Sequence, residues 1–427
     1  MTRDFHNSLG VINAAGRHLQ LPEQARLRHL YVIGQTGTGK STLLHHLIAE
    51  DLAAGRGVAL FDPHGDLAQA AVGSIPTNRA HHLVYLCPSD LERPIGFNPL
   101  ADIEPDKRAL AAEGIVSAFR HVWPDSWGPR LEHILGHALR ALIANPGMTL
   151  LAVPRLLSDD RFRKRILKSV TDPIDRQFWD LEFDAYDDRF RTEAIAPILN
   201  KVGKVLATPA LRNIIAQPKS SIDLRRMMDD GRILIVNLSK GMLGEGPSHL
   251  LGALLVSALT TTALSRADIP ADQRRPFFLY ADEFQTYTTT SFAVILAEAR
   301  KYGLALTLAH QYLAQLPDEL QSAVLGNVGS LVALRVGAED NHLVLQRLDL
   351  RDTEAPHYHP VNLPNFTAHA RVLLADKPSY HYHMKLPPPP SPLHTRSAQL
   401  IDNSRIRFGG MREIIERNIA KFLQNDL

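Results

Sequence analysis

The chain has 427 residues, of which 45% are hydrophobic and 22% charged, and its formal net charge is +2. This composition is that of a globular protein with a large core, and the charge is too small to indicate nucleic acid, so any DNA contact must come from local patches. The single cysteine excludes an internal disulfide and favours a reducing compartment. Residues 1–10 lack the apolar core of a signal peptide, and the longest apolar run, residues 249–264, is interrupted by threonines and too short to span a bilayer. We therefore expect a soluble, cytoplasmic protein.

The first clear pattern is a phosphate-binding loop. Residues 8–28 hold two short strand-like runs around a glycine, which predict a β-hairpin, and the run YVI at residues 31–33 then predicts the end of a buried strand. Residues 34–41 match G-x-x-x-x-G-K-[ST], in which glycines turn backbone amides inward, Lys40 reaches the outer phosphates and Ser41 binds Mg²⁺. A helix follows, and its amino end favours the phosphates. We assign nucleotide binding to Gly34, Gln35, Thr36, Gly37, Thr38, Gly39, Lys40, Ser41 and Thr42.

A glycine-rich turn could match this motif by accident, since the four fixed positions coincide roughly once in a hundred chains of this size. The strand before the loop and the helix after it make an accidental match less frequent still. Nucleotide binding is therefore the interpretation that we carry forward.

Strands and helices alternate on either side of a long helical stretch. The alternation over residues 57–88 and again beyond residue 232 predicts a parallel sheet covered by helices, whereas helical periodicity alone fills the stretch between them. A proline-rich connector and a short helix near residues 411–423 close the chain. The predicted divisions are a hairpin with the first part of the nucleotide-binding domain, an inserted all-helical domain, the second part of the nucleotide-binding domain, and a connector with a terminal helix, at residues 1–102, 103–225, 226–384 and 385–427.

An acidic pair follows a second buried strand. Residues 277–281 are apolar, and Asp282 and Glu283 come at the carboxyl end of that strand, where open α/β sheets bind ligands. Asp282 is expected to hold Mg²⁺ through water, and Glu283 to activate the attacking water as general base. An acidic turn after a strand is the alternative interpretation.

Two further polar residues surround the next strand. Arg300 ends a helix and Gln311 follows the strand after it. In P-loop motors a glutamine there can sense the γ-phosphate, and an arginine can reach a neighbouring subunit's nucleotide. From spacing alone, a cation favourable to the helix dipole and a solvated glutamine are equally good interpretations.

The ordered motifs carry a resemblance. These motifs are, in chain order, RH followed by GQTGTGKS, then FDPHGD, FNPL, WGPRLEHIL, YADEFQ, ARKYG and AHQ. Over roughly residues 5–420 the chain resembles the HerA/FtsK superfamily of DNA-pumping ATPases, and in particular the soluble motor part of type IV secretion coupling proteins. The resemblance implies a RecA-like P-loop NTPase fold with a mainly parallel central sheet and an inserted all-α domain. It also implies ATP and Mg²⁺ at subunit interfaces of a hexameric ring, sequence-independent DNA in the channel, Arg300 acting in trans and Gln311 as sensor.

The resemblance also sets expectations for partners and location. Coupling proteins carry transmembrane helices ahead of the motor, whereas residues 1–30 contain no comparable apolar segment. We therefore expect no transmembrane segment in this chain, recruitment to the inner membrane by a partner, and docking of a relaxase or of secretion-system proteins. Candidate DNA contacts are cations on one predicted helix and in one glycine-rich loop, namely Arg161, Lys164, Arg165, Lys168 and Lys240.

Three alternatives to a DNA pump were weighed. A nucleotide-gated assembly or substrate-receptor platform of a secretion or DNA-processing complex would use ATP with little translocation, and the acidic pair favours turnover over a mere switch. A cassette-type transporter ATPase lacks support because no LSGGQ-like signature is present. A nucleotide kinase would have no use for the acidic pair or for an arginine acting in trans.

Overall fold

A single mixed sheet organises the molecule. The computed structural model describes residues 6–12, 16–239, 244–289, 292–350, 359–373 and 379–424. Within these residues eleven strands pair in the order β2-β1-β11-β10-β9-β3-β8-β7-β4-β6-β5. Their bounds are β1 His6–Val11, β2 His18–Pro22, β3 Leu30–Ile33, β4 Gly57–Asp62, β5 Leu83–Leu86, β6 Ile233–Asn237, β7 Phe277–Ala281, β8 Leu304–His310, β9 Ser330–Ala333, β10 Thr367–Val372 and β11 Tyr380–Lys385.

Helices cover both faces of the sheet. In the described part of the chain they are α1 Glu23–Arg26, α2 Lys40–Ala53, α3 Asp66–Gly73, α4 Arg108–Val122, α5 Pro129–Ile143, α6 Ala152–Ser158, α7 Asp160–Leu167, α8 Pro173–Gln177, α9 Asp188–Ala207, α10 Pro209–Ile215, α11 Leu224–Asp230, α12 Glu245–Ser265, α13 Phe292–Glu298, α14 Asp318–Asn327, α15 Ala338–Leu348, α16 Ser397–Phe408 and α17 Arg412–Gln424. A π-helical segment, Phe178–Phe183, follows α8.

The strands from β9 to β5 run parallel, and those from β2 to β10 pair antiparallel. The parallel strands are buried on both faces, which is why their sequences read as continuous apolar runs. In β3, Tyr31 and Ile33 enter the core on one face, whereas Leu30 and Val32 enter the core under α2 and α3 on the other. The predicted hairpin is confirmed as β1 and β2, and the predicted α/β fold with a mainly parallel sheet is confirmed.

Only helical segments lie in the described structure between Pro105 and Asp230. Most of their buried apolar residues join the core of one sheet face, whereas Leu151 and Ala216 pack with the C-terminal residues Ile415 and Ile419. Helices α4 and α12 pack closely, because a Cβ on Gly114 would come 2.0 Å from the Ser257 hydroxyl. The boundary predicted at residue 225 falls inside α11, and the division into four parts stays a prediction.

Helix α12 belongs to the longest helical stretch in the described part of the chain. Residues 245–268 form one helical stretch of 24 residues, long and apolar enough to cross a membrane by length and composition. However, 56% of the most apolar window is buried, and α12 packs against α4, which is the environment of a core helix.

The C-terminal segment covers the sheet edge formed by β5. Helix α16, which the sequence patterns did not predict, packs on β5, and the Tyr85 amide donates a hydrogen bond to the Ser404 hydroxyl at 2.8 Å. Helix α17, predicted near residues 411–423, places Ile415 and Ile419 against the helical region. The edge strand is thereby shielded from pairing with another chain.

Candidate nucleotide-binding and catalytic site

The predicted site residues meet at the carboxyl edge of the parallel strands. Strand β3 leads into the phosphate loop, β7 ends before Asp282, and β8 ends before Gln311. Because β8 lies between β3 and β7, all three ends are neighbours in the sheet. This edge is where open α/β sheets bind ligands.

The phosphate loop is held by its glycines and by main-chain hydrogen bonds. Gly37 and Gly39 have φ angles of 76° and 116°, in the left-handed region that suits glycine. The Gly34 amide donates to the His310 carbonyl at 3.3 Å, which ties the loop to the end of β8. On the other side the Gln35 amide donates to the Arg335 carbonyl at 2.8 Å. The loop is therefore braced by both neighbouring strands of β3.

The individual loop residues divide by exposure. Thr38, Gly39 and Lys40 are buried, and Thr42 is half-buried in the first turn of α2. The residues whose backbone or side chain faces solvent are Gln35, Thr36, Gly37 and Ser41. The Thr38 hydroxyl donates to the Gln35 carbonyl at 2.7 Å, so Thr38 fixes the loop from within.

Lys40 begins α2 and points back into the loop. Its ammonium donates to the Gly34 carbonyl at 2.6 Å and the Gln35 carbonyl at 3.3 Å, and lies 4.0 Å from a Glu283 oxygen. Burial lowers the pKa of Lys40, while the carboxylates of Glu283 and Asp282 oppose this shift. A buried cation with acidic neighbours on one side is suited to binding the outer phosphates of a nucleotide.

Ser41 and Asp282 form the candidate magnesium site. The Ser41 hydroxyl donates to an Asp282 oxygen at 3.2 Å. Burial, together with the nearby charges of Glu283 and Asp62, raises the pKa of Asp282 to about 6. A solvent-facing hydroxyl beside a buried carboxylate provides the oxygen donors that Mg²⁺ prefers, so the residues present fit the ion.

Glu283 is held in a strained conformation. Its φ of 46° lies in the left-handed region, which a bulky residue adopts only under constraint. One carboxylate oxygen accepts from the Gln311 amide at 3.1 Å and the other from the Gln285 amide at 2.9 Å. The predicted base and sensor are therefore in direct contact, and strain of this kind is concentrated at functional sites.

Arg300 does not join this group. It lies in the 3-10 turn Ala299–Tyr302, just before β8, whereas Gln311 follows β8. A strand of seven residues separates them, which corresponds to about 20 Å. The Arg300 side chain is exposed and makes no hydrogen bond or ion pair with any residue that the structure describes.

Sequence reasoning missed several residues of the site. Asp62 ends β4 beside Asp282, is fully buried, and accepts from the amides of His64 and Ala68 at 2.9 Å and 2.8 Å. The FDPHGD segment contained this signal, because a second parallel strand ending in aspartate must reach the same edge. Gln285 and His310 gave no such signal, since an amide in a turn and a buried histidine occur at many positions.

His310 supports the site from beneath. Its Nε2 is hydrogen-bonded to the Tyr31 hydroxyl, and it is completely buried. Burial, together with the charge of Lys40, lowers the pKa of His310 to about 3. Because the imidazole under the loop is neutral, the positive charge near the phosphate loop comes from Lys40.

These features define a P-loop nucleoside-triphosphatase of RecA-like fold. A family model described as the central domain of helicase HerA matches residues 21–259, more than half of the chain. The chain belongs to this family, and the predicted membership of the HerA/FtsK-type P-loop ATPases is confirmed. No match was found among curated proteins.

Solved structures of similar fold include conjugation and secretion proteins. An unbound bacterial conjugative coupling protein, TrwB, superimposes with a TM-score of 0.62 at 21% identity over 91% of this chain and 90% of that one. TrwB in complex with ADP and Mg²⁺ gives 0.60 at 18% identity over 90% and 91%. VirB4 of Thermoanaerobacter pseudethanolicus gives 0.58 at 16% identity over 92% and 97%. At these identities the likeness establishes the fold.

Proposed function

We propose that this chain is an ATP-driven DNA translocase that works as a hexameric ring, of the kind that couples DNA to conjugative or type IV secretion. The observation that carries the proposal is the contact of Glu283 with Gln311 beside Lys40. A platform that only binds nucleotide has no need of a strained carboxylate held there. Family membership and the fold shared with TrwB and VirB4 support the choice of a DNA motor.

In this proposal the loop amides and Lys40 bind the β- and γ-phosphates of ATP. Ser41 and Asp282 hold Mg²⁺, which supplies positive charge to the phosphate oxygens when it is bound. Glu283 takes a proton from a water molecule as the water oxygen attacks the γ-phosphorus. The bond between the γ-phosphorus and the bridging oxygen then breaks, and that oxygen leaves with ADP. Gln311, bonded to Glu283, reports whether the γ-phosphate is present.

The position of Arg300 supports a ring. Because Arg300 lies at the amino edge of the sheet, about 20 Å from its own Gln311, it cannot reach the phosphates bound by the same subunit. An exposed arginine at that edge can instead complete a site on a neighbouring subunit, where it would stabilise charge on the transferring phosphoryl group. Hydrolysis then requires an assembled interface.

DNA is the proposed polymeric substrate, gripped without sequence preference through phosphate contacts. Arg161 and Lys164 on α7 and Lys168 just after it are exposed, which supports one such contact, whereas Arg165 is half-buried over the Phe162 ring. Lys240 lies outside the described residues. We further propose that a relaxase or secretion-system protein docks on the motor and recruits it from the cytoplasm to the inner membrane.

The test is a subunit-mixing experiment with DNA present. Lys40→Ala removes the phosphate contact of a subunit but keeps its arginine, and Arg300→Ala does the reverse. Each variant alone is expected to be inactive, whereas the mixture should regain part of the ATPase activity, because an Arg300→Ala subunit beside a Lys40→Ala subunit has one complete site. A mixture no more active than its components would contradict action in trans.

The assembly platform is the second candidate, favoured only by the large helical region available for docking. It predicts ATP hydrolysis without movement of DNA. A triplex-displacement assay separates the two: the wild type should displace the third strand with ATP, and the Glu283→Gln variant should not. Turnover by the wild type without displacement would support the platform.

A further inference from the structure

An aromatic side chain lies beside the phosphate loop with no role in the reaction described above. Phe366 comes just before β10 and is 43% exposed, although most large apolar side chains of the chain are buried. Its φ of 60° places a bulky residue in the left-handed region, where it remains only if the surroundings hold it. We propose that Phe366 is a stacking platform for the base of the bound nucleotide, an inference that rests on the proposed nucleotide-binding function.

The main chain fixes Phe366 to the loop. Its amide donates to the Thr38 carbonyl at 2.8 Å, and its own carbonyl accepts from the Leu386 amide at 2.8 Å. The ring edge lies against Gly39, where a Cβ would come 2.9 Å from the ring and 2.9 Å from the Leu386 side chain. The ring is thus held at a fixed place relative to the phosphate-binding amides, with 43% of the residue exposed to solvent.

The direction of the nucleotide follows from the sheet order. Strands β8 and β7 lie on one side of β3 and bring Gln311 and Glu283 to the γ-phosphate end. Strands β9, β10 and β11 lie on the other side, and Phe366 reaches the loop from there. A triphosphate whose outer end is at Glu283 must send its ribose and base out at the opposite end, which is the side of Phe366.

An exposed ring at this position has the chemistry for a nucleobase. Every base has a π-face, and stacking on an aromatic side chain changes affinity by about 5- to 150-fold. A rigid ring loses little entropy on binding, which is the advantage of a preorganised contact. The competing explanation is that Phe366 only fills space over Gly39, in which case removing the ring would disturb the phosphate site as well.

The experiment compares two probes, Mg²⁺–ATP and Mg²⁺–tripolyphosphate, by calorimetric titration of the full chain. Tripolyphosphate has the phosphates but no base. Phe366→Leu keeps an apolar side chain over Gly39 and should weaken ATP binding about tenfold while leaving tripolyphosphate binding unchanged. Phe366→Trp, which keeps an aromatic ring at this position, should bind ATP about as tightly as the wild type does. Tyr380→Leu, which removes another exposed aromatic residue, is the control and should match the wild type with both probes.

Unchanged ATP affinity in Phe366→Leu would overturn the inference, and so would an equal loss for both probes, which would indicate a structural role. The proposed function fails in a different way. A wild type that binds ATP tightly through Phe366 but neither hydrolyses it nor moves DNA would refute the motor and leave the stacking role intact. Equal affinity of the wild type for both probes would refute stacking and leave hydrolysis untouched.

Discussion

His29 is a buried histidine whose titration should be measurable in the stability of the protein. It is 1% exposed and has a φ of 66°. Its Nδ1 accepts from the Leu306 amide at 3.1 Å, so its Nε2 carries the proton and donates to the Leu296 carbonyl at 3.1 Å. Through these bonds it joins the start of β3 to β8 and to the helix just ahead of Arg300. Burial lowers its pKa from 6.5 to about 4, with a smaller contribution from the charge of Arg300.

The sign of the effect follows from proton binding. Between about pH 6.5 and pH 4 the unfolded chain binds a proton at His29 that the folded chain does not, so stability falls as the pH falls through this window. At pH 5.0 the solution is about 1.5 pH units below the pKa of His29 in the unfolded chain. At 1.36 kcal/mol per unit, this lowers the free energy of unfolding by roughly 2 kcal/mol. His29→Gln keeps a donor and an acceptor but cannot titrate in this range.

The assay is urea denaturation at pH 7.5 and pH 5.0. The loss of unfolding free energy between the two pH values should be about 2 kcal/mol smaller in His29→Gln than in the wild type. His342→Gln, at an exposed histidine on α15, should lose as much as the wild type. If His29→Gln and the wild type lose the same amount, the buried neutral histidine is not the group that titrates, and the reasoning fails.

Three further outcomes are expected from single substitutions. Glu283→Gln should keep Mg²⁺–ATP affinity and lower kcat by about 10²- to 10⁴-fold, and steady-state turnover near wild type would exclude it as the base. Asp51→Ala should lower the free energy of unfolding in urea by about 3–5 kcal/mol, because Arg26 then stays buried without its carboxylate partner. The control Glu23→Ala removes a more exposed ion pair and should lower it by less than about 1 kcal/mol. Gln311→Ala should bind ATP normally but lose stimulation of the ATPase by DNA, and retained stimulation would argue against a sensor.

The phosphate loop and the acidic pair could be predicted because their signals are local. A glycine pattern between a strand and a helix fixes Lys40 within a few residues, and the carboxyl end of an apolar strand fixes Asp282. Parallel strands then bring both to one edge whatever the order of the strands. This is why Ser41 and Asp282 are found in contact although 241 positions separate them.

The features that sequence reasoning missed depend on distant partners. Helix α16 covers β5 through the hydrogen bond between Tyr85 and Ser404, which are 319 positions apart, and its own hydrophobic pattern is weak because few of its residues are buried. The left-handed backbone of Phe366 has no local cause either, since the residue is not glycine, asparagine or aspartate. Its conformation follows from the main-chain bonds to Thr38 and Leu386.

The sheet separates two parts of the proposed reaction that must work together. Lys40 and Glu283 lie at its carboxyl edge, and Arg300 lies at its amino edge, so one subunit binds the phosphates while presenting its arginine in the opposite direction. His29 sits at the amino end of β3, the strand that leads into the phosphate loop, and holds the segment ahead of Arg300. If Arg300 completes a neighbour's site as proposed, a shift of the phosphate loop on hydrolysis can be passed along β3 and through His29 to that arginine. In the proposed ring, this geometry would make each subunit's turnover depend on its neighbour, which is the coupling that sequential movement along a polymer requires.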